Sequence, residues 1–181
     1  MEEATKKFII EFVKRTIEVW VKTGKIFSLP KDFPRELKER KGVFVTLTKF
    51  GNLRGCIGFP YPTKTIIEGL RDAAIASTQD PRFYTLEKDE LKDVRVEVSI
   101  LGLAEKITGK TCDERIEKIS RNDGVILKKS GREALFLPQV WEELPDKLTF
   151  LSQLCMKAGL TPNEWKEADL YKFHADIIRE G

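Results

Sequence analysis

Histidine is almost missing from this chain: His174 stands alone among 181 residues, so no histidine-rich metal cage can be assembled and no metal site is expected. Cysteine is sparse as well. Cys56, Cys112 and Cys155 fall at spacings that fit no zinc or redox motif, and their odd number argues against a disulfide framework, so reduced thiols are expected. No run approaches the about 18 apolar residues of a membrane span. The opening Met1-Glu2-Glu3 is acidic where a signal peptide would be basic and then apolar, so a cytoplasmic protein is expected. No stripe of one charge exists either: 32 basic and 29 acidic residues are interspersed to a net +3, which gives no support for nucleic-acid binding. Asn and Gln are scarce while Lys and Glu dominate, a mix that resembles hyperthermophile proteins.

What is present suffices for a real core, with 41% hydrophobic residues in a length that holds one large or two small domains. Phe8, Ile9, Phe12, Val13, Ile17 and Trp20 recur at helical steps, and Gly24 follows where a left-handed C-cap belongs. A Pro-punctuated connection with a short charged helix near 35–40 comes next. Val43 to Thr48 alternates as a strand, and Phe50-Gly51-Asn52 turns it into a second strand. Thr65 and Glu68 have capping-box spacing for a helix through Ile66, Leu70 and Ala74. Val94, Val96, Val98 and Ile100 alternate with Arg95, Glu97 and Ser99 in a further strand.

After Gly102 a second sub-structure is expected: a capped helix from Thr111, a hairpin across Ser130-Gly131, and a helix with Leu148, Leu151, Leu154 and Cys155 that stops at Gly159. A further helix start is read at Thr161-Pro162-Asn163-Glu164. Residues 171–178 alternate as one last strand able to return to the first sheet. Trp20, Trp141 and Trp165 are read as packing residues.

The stretch Asn52-Leu53-Arg54-Gly55-Cys56-Ile57-Gly58 sets a guanidinium and a thiol two residues apart among glycines. Strand alternation places Arg54, Cys56 and Gly58 on one face and Leu53, Ile57 and Phe59 toward a core, so the glycines leave a bare face that a ligand or another backbone can approach. The helix opening at Thr65 is expected to bring its N-terminus near Arg54, a setting suited to an anion or thiolate.

Leu53-Arg54-Gly55-Cys56-Ile57-Gly58 resembles the hallmark hexapeptide of the AMMECR-type proteins, named for the Alport syndrome, midface hypoplasia and elliptocytosis chromosomal region. Further blocks match in order: Asp80-Pro81-Arg82-Phe83, Glu97 to Leu101, Phe136 to Val140, and Leu154 to Leu160 with Trp165. The resemblance implies an α+β fold of two unequal domains, the larger an antiparallel sheet with flanking helices built from both chain ends, with the hexapeptide near the cleft between them. On this chain the larger domain is expected over 1–104 plus 166–181 and the smaller over 105–165. The resemblance also implies a setting shared with a Memo-type protein and a radical SAM enzyme, and it assigns no reaction or cofactor.

Cys56 is the candidate nucleophile or substrate anchor, set against a scaffold reading as a small residue at a tight contact. Arg54 is either a clamp for a carboxylate or phosphate or the partner of an acid such as Glu97 or Asp80. Asp80 and Arg82 read as a loop held by its own salt bridge or as ligand contacts, and Glu97 as a solvated strand residue or a general base. Gly55 and Gly58 complete the ligand-binding set. The leading expectation is a small anionic ligand bound at this site with thiol-dependent group transfer; the alternative is a non-catalytic module that holds a partner protein there.

Overall fold

The computed structural model describes residues 1–181, which divide into two compact units, Met1–Leu101 with Asp176–Gly181, and Gly102–Ala175. In chain order the first carries α1 (Glu3–Thr23), β1 (Val43–Lys49), β2 (Asn52–Phe59), α2 (Ile66–Ser77) and β3 (Val94–Leu101). The second carries β4 (Glu105–Lys106), α3 (Cys112–Glu117), β5 (Gly124–Lys129), β6 (Arg132–Phe136), α4 (Lys147–Lys157) and β7 (Asp169–Phe173), and the chain closes on β8 (Ala175–Arg179). The α+β class is as the sequence pattern requires.

In the first unit the strands lie in the order β2-β1-β3-β8. Alternation does what the pattern demands: Val43, Val45 and Leu47 of β1 are fully buried beside Val96, Val98 and Ile100 of β3. Over this face lie Ile9, Phe12 and Val13 of α1 and Ile67, Leu70 and Ala74 of α2, one continuous apolar cluster. Each fully buried aliphatic side chain contributes about 2 kcal/mol. Gly24 adopts φ 69°, the left-handed C-cap that ends α1. The capping box at α2 is complete, with Glu68 Oε2 accepting from the N–H and hydroxyl of Thr65.

The second unit orders its strands β4-β7-β5-β6. Its core gathers Val125, Leu127 and Leu170 with Phe150, Leu151, Leu154 and Cys155 of α4, and Trp141 stacks on Phe150 with ring centroids 3.7 Å apart. The buried indole N–H of Trp141 donates to the Asp123 carbonyl at 2.8 Å, so the ring packs without an unpaired donor.

Three local expectations are corrected. The single last strand is two: β7 pairs with β5 and stays in the second sheet, whereas β8 lies next to β3 in the first, so part of 166–181 belongs with the second unit. Alternation alone cannot reveal where a strand changes partners. Leu148 lies on the exposed side of α4, whose buried stripe is Phe150, Leu151, Leu154 and Cys155. The helix start read at Thr161 yields only a 3-10 turn (Glu164–Lys166); Glu164 does reach back to the N–H of Thr161 at 2.6 Å, but the chain turns into β7 instead of continuing.

Candidate functional site

The site grows from the β1–β2 hairpin. Phe50 and Gly51 take φ of 52° and 81°, a two-residue turn that pairs Lys49 with Asn52 and Thr48 with Leu53. Then the register slips. Leu47 opposes Gly55, so Arg54 is the extra residue of a β-bulge, and beyond it Cys56 faces Thr46 and Gly58 faces Phe44.

The bulge corrects the expected faces. Ile57 takes the core side as expected, opposite the buried Val45, and Gly55 joins it opposite Leu47, while Leu53 shares the other face with Cys56 and is 43% exposed. Neither glycine leaves an open face. A Cβ on Gly55 would collide with the carbonyl oxygen of Ser77, and one on Gly58 with the Val43 carbonyl and the Phe44 ring. The close approach that the glycines permit is intramolecular.

Ser77 is the last residue of α2, so the helix end against the strand is the C-terminus, not the expected N-terminus. Twelve residues carry the start of α2 about 18 Å further along. There Thr65 bridges to Arg40, and the first-turn N–H groups of Ile66 and Glu68 already donate to the Glu39 carbonyl and the Thr65 hydroxyl. The positive end of the helix dipole therefore does not act on Arg54 or Cys56.

What acts on Cys56 comes from β1 and from the loop after α2. The Thr46 hydroxyl donates to Cys56 Sγ at 3.2 Å. The Cys56 N–H turns away from β1 and donates to Asp80 Oδ2 at 2.9 Å, and its carbonyl accepts from Arg82 Nη2 at 3.4 Å. Such an outward-facing residue forms the narrower, non-hydrogen-bonded type of antiparallel pair, which explains why Thr46 and Cys56 side chains meet. Asp80 itself is 2% exposed and accepts also from the N–H, Nε and Nη2 of Arg82. The Arg82 guanidinium, followed by burial acting in the opposite sense and the Cys56 N–H, holds the Asp80 carboxyl down at about 2. Arg82 is raised in turn, by its hydrogen bonds to the Asp80 carboxylate.

Arg54 is clasped elsewhere. Its Nε and Nη2 form a fork on Glu90 at 3.0 and 2.7 Å, and Nη1 donates to the Tyr84 carbonyl at 2.9 Å. Glu90 accepts also from Lys49 and the Glu87 N–H, and the Arg54 fork brings its carboxyl down to about 2. The acid paired with Arg54 is thus Glu90, neither Glu97 nor Asp80. Arg54, Arg82, Phe83, Tyr84 and Glu90 line an open groove of about 750 Å³.

Glu97 lies in the same cross-strand row as Cys56, since Thr46 opposes both, and its carboxylate accepts from Arg179 of β8 at 2.7 Å. The structure therefore gathers Cys56, Asp80 and Arg82 at one point, sets Glu97 beyond Thr46, and ties Arg54 into a neighbouring clasp. Sequence reasoning missed Thr46 and Glu90. Counting back from the turn would have paired Thr46 with Gly55, because no residue announces the bulge, and Glu90 lies in a charged run, Lys88–Lys92, whose acids look alike. Cys155 is fully buried, which pushes its thiol up, and Cys112 is half-buried in the second unit.

The AMMECR1 family profile matches residues 10–178. A protein of Methanosarcina mazei is 43% identical over 189 residues, covering 99% of this chain and 94% of its own length. Protein PH0010 of Pyrococcus horikoshii is 43% identical over 184 residues, covering 96% of this chain and 89% of its own. The crystal structure of this uncharacterized protein superposes with a TM-score of 0.92 at 41% identity, covering 98% of this chain and 92% of that one.

Proposed function

Because the chain belongs to the AMMECR1 family, whose hexapeptide holds Cys56, we propose that the face of the first sheet around Cys56 is its functional site. There a small anionic ligand binds beside Arg82 and Arg54 and a thiol-dependent group transfer takes place on Cys56, with Glu97 as the general base of the row. One observation carries this reading: a partly exposed thiol receives the Thr46 hydroxyl while a guanidinium is held at its own carbonyl by a buried carboxylate. Thiolate chemistry needs donors and a cation beside the sulfur. The chain works in one pathway with a Memo-type protein and a radical SAM enzyme, the setting that the family resemblance implies.

The test is protection. Inorganic phosphate and malonate should slow alkylation of Cys56 by iodoacetamide in the native protein and should lose that effect in Arg82→Ala. A second reading, a non-catalytic module for a partner protein, is favoured by Tyr84, which lines the same groove and is 94% exposed. Equal alkylation of Cys56 with and without the anions supports that module over the anion site.

A further inference from the structure

A separate groove runs between α1 and the 3-10 turn Lys88–Lys92 that leads into β3. Its volume is about 700 Å³, within the about 300–1,000 Å³ of binding pockets, and none of its lining residues lines the groove beside Arg54. Ile17, Val94 and Val96, with half-buried Leu91, make an apolar floor, and the aliphatic stems of the surrounding lysines extend it.

The charge around this floor is uneven. Five cations, Lys14, Arg15, Lys22, Lys88 and Lys92, stand against three carboxylates, Glu11, Glu18 and Asp89. Glu18 is spent on Arg15 at 2.8 Å and on Lys22 at 2.5 Å, Lys14 is held by Glu180, and Glu11 lies 3.9 Å from Lys7 outside the groove. Lys88 and Lys92 have no such partner, and Asp89 is the one carboxylate left to oppose them. The bank they stand on is braced from behind, because Glu90 of the same turn takes the fork of Arg54 and the ammonium of Lys49. A wall already in place lowers the ordering cost of binding.

We propose that this groove docks an acidic amphipathic helix of a partner protein, with apolar anchors at i, i+3, i+4 and i+7 on the floor and carboxylates beside Lys88 and Lys92. Shape and charge select that occupant. The groove is open, so a free fatty anion lying in it would stay wet on its outer side, whereas a helix covers the floor with its apolar face and turns a polar back to water. A flat anionic lipid surface would meet Glu11, Glu18 and Asp89 together, whereas a helix can present its acids to the Lys88–Lys92 bank alone.

The experiment is fluorescence anisotropy of a capped, labelled helical peptide, with leucines at i, i+3, i+4 and i+7 and glutamates on both flanks, titrated with the full chain. Binding should weaken as salt rises. It should fall at least about tenfold in Lys88→Glu/Lys92→Glu, where like charges face the peptide. Lys88→Gln/Lys92→Gln, which removes the cations without adding acids, should fall between, and thermal midpoints of both variants should stay near that of the native chain because neither lysine is in an ion pair. Lys6→Glu/Lys7→Glu, in the neighbouring groove along β8, should bind as the native chain does. Equal loss in the two charge reversals, or equal binding of a peptide whose glutamates are replaced by lysine, shows a non-specific charge effect and overturns the proposal. Absence of peptide binding overturns it too, and dodecanoate shifting the methyl resonances of Leu91 and Val94 where the peptide does not would assign the groove to a small amphiphile instead.

Discussion

The N–H of Cys56 donates to a carboxylate oxygen of Asp80 at 2.9 Å, although 24 residues separate them in sequence. Asp80 acts there as a strand would, closing the free edge of β2 at the residue that carries the thiol. The candidate site thus depends on an ionised, buried side chain.

Stability should follow that ionisation. Asp80 and Glu90 are held at about 2, against ordinary values of 3.8 and 4.5. A depressed carboxyl favours the folded state above its unfolded value, and the contribution vanishes as pH falls through the folded one. The two groups should therefore each supply about 2–3 kcal/mol at neutral pH. Urea midpoints should fall steeply between pH 4.5 and 2 in the native chain and less steeply in Asp80→Asn.

Arg54 and Arg82 should separate by readout. Arg54→Ala strands Glu90, 14% exposed, without its fork, and should lower stability by about 3 kcal/mol. Because its guanidinium lies on Glu90 and Tyr84, the same change should leave alkylation of Cys56 within about twofold of wild type, which is well under 1 kcal/mol. Arg82→Ala should slow it. Chemical denaturation and iodoacetamide kinetics on both variants check this pair.

Gly55→Ala should be destabilising by about 1–3 kcal/mol, because the new methyl meets the backbone carbonyl of Ser77 rather than a flexible side chain. Gly131→Ala, with open space around it but φ 76°, should show backbone strain alone, about 1 kcal/mol. Thermal unfolding of the two variants distinguishes collision from strain.

Much of this fold was legible because period and caps agree. Gly24 and Thr65 mark their helix ends, and the Val-rich alternation of β1 and β3 fixes the core face of the first sheet. The site was legible only as a set of residue types. Cys56, Asp80 and Arg82 do meet, but the faces of β2 depend on a bulge at Arg54 that no residue in the local sequence announces. The orientation of α2 across the sheet is equally non-local, so the wrong helix end was assigned to the site.

The most direct test of the central claim is the rate of iodoacetamide alkylation of each cysteine in the native protein across neutral pH, repeated in Thr46→Val and Arg82→Ala. The account predicts that Cys56 reacts first, Cys112 later and the buried Cys155 only on unfolding, and that both substitutions slow Cys56 alone. A Cys56 that reacts no faster than Cys112, or that is indifferent to both substitutions, would contradict it.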